Sequence, residues 1–220
     1  MMLEVFYNFY GLNQEIFLFL NKITNIGFTP YFLKIISFCF NIANFALIYI
    51  LYCIYFYIQL KKIKNDNEQQ NKFWHGYNKL VEIGIIYVIF GLIFTTLKFS
   101  VNLPRPYCSL PVNSFVTIIN TGNERCLSSF PSSHAALSIL LTYFAWNSTR
   151  LSIKILMICF IILVSLSRIS LAMHYPSDII YGIIIAFITI VIGKLIYHIF
   201  ANNIIRKVGI ISYNKYFTLS

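Results

Sequence analysis

Charge is scarce in this 220-residue chain, and acid scarcest of all: charged residues are 11% of the sequence, and Asp and Glu together number 7. An ordinary soluble domain carries about 25% charged residues. Hydrophobic residues reach 58%, more apolar surface than a core of this size hides from water, so lipid is the expected solvent for much of the chain. There is no Cys-x-x-Cys, and the four histidines are not spaced as metal ligands, so no metal or other cofactor is expected. Residues 1–30 lack a basic start, a clean apolar block and a small-residue cleavage site, so no cleavable signal peptide is expected. No internal repeat and no low-complexity domain is present, and the length fits one membrane domain.

Long apolar runs are what the chain does have. Five spanning helices are expected: Tyr31 to Leu60, Leu80 to Phe99, a short one from Ser133 to Trp146, Ile153 to Ala172, and Asp178 to Phe200. The fold class is thus all-α, a polytopic membrane helix bundle. In residues 1–30, Leu12, Ile16, Phe19, Leu20 and Ile23 recur at helical spacing, which predicts an amphipathic interfacial helix, with a sixth span as the alternative. The expected organisation is an interfacial segment over 1–30, a membrane domain over 31–200 and a cytoplasmic tail over 201–220. Lys61–Lys79 reads as a soluble loop.

The net charge of +10 does not form a stripe suited to nucleic acid, and no nucleic-acid partner is expected. The basic residues lie between apolar runs. Lys61, Lys62, Lys64, Lys72 and Lys79 fall between the first two helices, Arg150 and Lys154 between the third and fourth, and Arg206, Lys207 and Lys215 after the fifth. The positive-inside rule puts these segments in the cytoplasm. Segments 100–132 and 168–178 then share the opposite face, where Arg105, Arg125 and Arg168 need another explanation.

Three polar patterns fall on that face: Lys98 with Arg105-Pro106; Pro131-Ser132-Ser133-His134; and Ser167-Arg168 with His174 and Asp178. A Lys, Arg or Asp costs roughly 2.5–3.5 kcal/mol at mid-bilayer and less toward the interface, so such residues usually serve a function. Three cations suit phosphate oxygens. Ser132-Ser133-His134 opens an apolar helix, whose free N–H groups make an anion site. His134 and His174 can divide acid and nucleophile roles, and Asp178 can hold one imidazole nitrogen while the other attacks. Arg125 and Glu124, outside these patterns, read as a solvated charge pair.

These motifs, in this order and spacing, resemble the type 2 phosphatidic acid phosphatase family, which also includes vanadium haloperoxidases and glucose-6-phosphatase. The resemblance implies a metal-independent phosphatase acting through a phosphohistidine. It implies that Lys98, Arg105 and Arg168 bind phosphate, that Ser132 and the Ser133 backbone complete the cradle, that His134 protonates the leaving oxygen, and that His174 attacks phosphorus with Asp178 behind it. The family usually has Gly where this chain has Ser133, which puts the phosphate pose in question. Residues 1–30, with Leu12-Asn13 and Phe19-Leu20-Asn21 ahead of Pro30, are similar to the start of short bacterial undecaprenyl-pyrophosphate phosphatases of the family.

The expected setting is a bacterial inner membrane with the site toward the periplasm. The expected partners are the bilayer and a lipid phosphate: undecaprenyl pyrophosphate, phosphatidylglycerophosphate, phosphatidic acid or lipid A. A phospho- or headgroup-transferase and a non-catalytic lipid-phosphate carrier are the alternatives. Oligomeric state is not legible. Cys108 and Cys126 share the outer loop, where an oxidising compartment lets them pair, with two free thiols as the alternative.

Overall fold

A computed structural model describes residues 5–63, 66–118, 125–147 and 149–217. Among these residues all regular structure is helical. The helices are α1 (Leu12–Thr24), α2 (Thr29–Cys39), α3 (Ile42–Lys61), α4 (Asp66–Val101), the short α5 (Pro106–Ser109), α6 (Ser133–Trp146), α7 (Leu151–Ser170), α8 (Pro176–Phe200) and α9 (Arg206–Phe217). A π-helical turn, Ala201–Ile205, joins the last two. Among the described residues, α3, the run containing α4, α7, and the run containing α8 are long and apolar enough to cross a membrane. At about 1.5 Å per residue, the 14-residue α6 is shorter than a bilayer core of about 30 Å.

Two sequence expectations are corrected. The single span from Tyr31 to Leu60 is two helices, broken at Phe40 and Asn41. Asn41 ends the first run and accepts the amide of Ala43 on its side chain at 3.0 Å, as a residue that competes for backbone groups does. The expected loop Lys61–Lys79 is largely helix, because α4 starts at Asp66. Asp66 and Glu68 favour a helix N-terminus, and Glu68 pairs with Lys72 one turn on at 2.8 Å.

The chain divides into two compact units. One comprises residues 45–91 and 188–220. Its buried centre is Leu60, Phe73 and Tyr213, with Phe56, Ile63, Trp74, Tyr77 and Phe217 against them. These aromatics give the polar start of α4 an apolar face to bury, which is why it folds as helix. Residues 201–217 are tied in by side chains: Tyr77 donates to the Ile205 carbonyl at 2.9 Å, and Tyr213 donates to Gln69 at 3.3 Å.

The other unit comprises residues 1–44 and 92–187 and carries every residue of the candidate site. Here α7 packs against α1, α2 and α6. Phe17, Ala135, Ile169, Ala172, Tyr175 and Ile179 form a buried cluster. The orientation of α1 inverts what water would select. Leu12, Ile16, Phe19 and Ile23 face outward, while Asn13 and Asn21 are buried. Asn21 donates to the carbonyls of Val116, Ile169 and Ser170 and accepts the Val116 amide, so its polarity is spent inside the protein.

Candidate active site

Four segments bring the sequence-predicted residues together. Lys98 lies in the last turn of α4 and donates to the Ser128 carbonyl at 3.3 Å. Arg105 precedes α5; its guanidinium donates to the Ser128 hydroxyl and to Met173 Sδ, each at 3.1 Å. Its backbone amide donates to the Cys126 carbonyl at 2.9 Å. Cys126 is itself disulfide-bonded to Cys108, which ties both ends of this loop to Arg105. Arg168, buried in the last turn of α7, donates to the Ser37 hydroxyl on α2 at 2.5 Å.

The turn after α7 sets His174. Ala172 adopts a left-handed φ of 53°, which costs a non-glycine residue roughly 1–2 kcal/mol. Its methyl group is fully buried in the apolar cluster. The chain then folds back, and the amides of Met173 and His174 both donate to the Arg168 carbonyl, at 3.0 and 3.3 Å. This fixes the nucleophile candidate to the phosphate-binding candidate through backbone alone.

Pro176 opens α8, and Asp178 falls in its first turn. Asp178 Oδ2 accepts the amide of Tyr175 at 2.8 Å, a carboxylate reaching back over a helix start. The same oxygen accepts the Ser129 hydroxyl at 2.5 Å, and Oδ1 accepts the Tyr7 hydroxyl at 2.8 Å. His174 Nδ1 lies 3.6 Å from Oδ2, too far for a hydrogen bond as it stands.

Ser132 is the N-cap of α6 but makes no side-chain capping bond. Among the described residues, Ser132 Oγ, His134 Nδ1 and His174 Nδ1 are buried polar atoms with no hydrogen-bond partner. Most buried polar groups are hydrogen-bonded, so three orphans in neighbouring segments of one site stand out. Ser133 is not among the residues of positive φ, so the position occupied by Gly in the family needs no glycine backbone here. Burial chiefly, then Arg168, Arg105, Lys98 and His134, hold the His174 imidazole well below its ordinary pKa. The three cations therefore act on the same imidazole. Among the described residues, no three His, Cys, Asp or Glu side chains are grouped to hold a metal ion.

Ser128, Ser129, Ser37 and Tyr7 were not singled out by the sequence. Ser129 stands two residues before the Pro131-Ser132 pair, which is the only local signal any of them carries. Arg125 donates to Asn102 at 2.7 Å at an exposed site and lies 4.3 Å from the Phe99 ring centroid. Its expected partner Glu124 lies outside the described residues.

Cations gathered around two imidazoles, on a scaffold of apolar helices, suit a phosphate ester carried by a lipid, and that is the chemistry of a membrane lipid phosphatase. The PAP2 superfamily profile matches residues 79–205, more than half of the sequence, and the chain belongs to that superfamily. Among solved structures, LpxE of Aquifex aeolicus has the same fold: TM-score 0.63, 19% identity, 83% of this chain and 94% of that one covered. No curated protein matches the sequence.

Proposed function

We propose that the protein hydrolyses a phosphate mono- or diphosphate ester of a membrane lipid through a phosphohistidine on His174. One observation carries this reading: Ser132 Oγ, His134 Nδ1 and His174 Nδ1 are buried without partners beside Lys98, Arg105 and Arg168. A phosphate with several acceptor oxygens answers the three cations and the Ser132 hydroxyl at once, while His174 Nδ1 is turned to Asp178.

In the first step His174 Nε2 attacks the terminal phosphorus and the bond from it to the leaving oxygen breaks, the lipid oxygen in a monophosphate and the bridging oxygen in a diphosphate. His134 gives its proton to that oxygen. The positive charge growing on His174 is met by Asp178, toward which Nδ1 is turned. The three cations and the N-terminus of α6 stabilise the equatorial oxygens. In the second step water attacks the phosphorus, His134 takes its proton, and the P–N bond breaks to release inorganic phosphate. His174 starts the cycle neutral, as its depressed pKa favours.

The proposed setting is a bacterial inner membrane, and the distribution of Lys and Arg supports the site facing away from the cytoplasm, toward the periplasm. In that arrangement α6, third in chain order, brings the spans to five, and α1 lies in the interface with its apolar face in lipid. The chemistry fits undecaprenyl pyrophosphate, phosphatidylglycerophosphate, phosphatidic acid and lipid A phosphate alike. Purified enzyme offered all four in detergent micelles is expected to release phosphate from at least one, and His174→Gln from none. Equal release by wild type and His174→Gln contradicts the proposal.

A further inference from the structure

The N-terminal segment reaches the buried carboxylate at the centre of the site. Tyr7 donates its hydroxyl to Asp178 Oδ1 at 2.8 Å. Its place is secured from several sides. Tyr181 donates to the Phe6 carbonyl at 2.5 Å, and Phe130 meets the rings of Tyr7 and Tyr181 edge-on, with centroids 6.1 and 5.5 Å away. Asn13 clasps Ser177, donating to its hydroxyl at 2.7 Å and accepting its amide at 3.0 Å. Residues 6–13 are therefore fastened to the first turns of α8 on either side of Asp178. This segment lies outside the part of the chain that matches the superfamily.

Oδ2 already has two donors, the Ser129 hydroxyl and the Tyr175 amide, and it is the oxygen that faces His174. Oδ1 has Tyr7. The torsion that turns a carboxylate is soft, and a buried carboxylate oxygen left without a donor is costly. Burial, and then the Asp178 charge itself, push the Tyr7 phenol above its ordinary pKa, so it stays a donor throughout the working range.

Resting on the reading that His174 is the nucleophile and Asp178 its partner, we infer that Tyr7 is a positioning residue of the phosphatase. By occupying Oδ1 it fixes the rotation of the Asp178 carboxylate, so that Oδ2 is presented to His174 Nδ1. The benefit falls where His174 becomes positive, in the transition state, so it belongs to kcat and not to KM.

The test is a double-mutant cycle on the full-length enzyme, using whichever of the four lipid phosphates is turned over fastest. Tyr7→Phe keeps the ring and its packing and is expected to lower kcat about ten-fold, the range for a hydrogen bond to a charged group, with KM nearly unchanged. In an Asp178→Asn background, read by end-point assay, adding Tyr7→Phe is expected to cost less than about two-fold, because its target charge is gone. An unchanged kcat for Tyr7→Phe, a change confined to KM, or a loss that persists in the Asp178→Asn background overturns the role. Should Tyr7→Phe fail to accumulate, Tyr181→Phe releases the Phe6 carbonyl instead. The same kcat loss, absorbed by Asp178→Asn, is then expected, and an unchanged kcat overturns the role. Full activity of Asp178→Asn contradicts the reading of the site itself. A crippled Asp178→Asn beside a silent Tyr7→Phe contradicts only the role of Tyr7.

Discussion

Gly182 of α8 lies so near Ser132 that a Cβ on it would stand 2.6 Å from the Ser132 carbonyl oxygen. The Ser132 amide donates to the Asp178 carbonyl at 3.0 Å in the same place. The segment bearing His134 and the helix bearing Asp178 are thus locked together by backbone, at a separation only glycine permits. Gly182→Ala forces the Ser132 backbone to move, and with it the N-terminus of α6. A misplacement of about 1 Å can cost about 10²-fold in rate, so kcat/KM should fall by one to two orders of magnitude. Steady-state kinetics on a variant that still elutes as a single species check this, and wild-type kcat/KM contradicts it.

Ser128 serves two cations at once: its carbonyl accepts from Lys98 and its hydroxyl from Arg105. The hydroxyl also donates to the Arg125 carbonyl at 2.9 Å. Ser128→Ala keeps the carbonyl and removes the hydroxyl, leaving Arg105 less firmly aimed. At about 1.5 kcal/mol for a hydrogen bond to a charged group, KM should rise about ten-fold with a smaller change in kcat. Substrate titrations distinguish this from a pure kcat effect.

Stability should depend on pH through His174. The unfolded imidazole has a pKa of about 6.5, whereas burial and the surrounding cations hold the folded one well below its ordinary value. Below pH 6.5 the unfolded chain therefore binds a proton that the folded chain refuses. The His174 contribution is undiminished above that value and is lost as pH falls toward the folded pKa. Melting in detergent should show a decline below pH 6.5 that is shallower in His174→Gln. Parallel declines in both proteins contradict it. For the same reason the acid limb of kcat/KM that belongs to His174 should lie below pH 6.5.

The disulfide between Cys108 and Cys126 closes a loop with a sequence separation of 18. In the chain-entropy model this is worth about 3 kcal/mol. Cys126→Ser should lower the melting temperature. It should also raise KM, since the Cys126 carbonyl holds the Arg105 amide. A variant that matches wild type in both would show that the loop is held without the bond.

The sequence exposed most of the candidate site and less of its support. Lys98, Arg105, His134, Arg168, His174 and Asp178 stood out because charge is conspicuous among apolar helices and because their spacing is fixed by short local structure. Tyr7, Ser37 and Ser128 are ordinary residue types, and their partners lie far along the chain, so only folding reveals them. In α1 the helical period was legible, but which face it buries was not obvious. The apolar stripe of Leu12, Ile16, Phe19 and Ile23 faces out, and Asn13 and Asn21 turn to the protein. The start of α4 reads as a loop because it is polar; it folds because Phe73 finds Tyr213 on α9.

The central claim is a covalent bond between phosphorus and His174. Wild-type enzyme mixed with a ³²P-labelled lipid phosphate and quenched in alkali within one turnover should retain label, since a phosphohistidine survives base. Peptide mapping should place that label on His174, and His174→Gln should retain none. A wild-type enzyme that releases phosphate with a full burst but never holds label, or one labelled equally in the His174→Gln variant, would contradict the account.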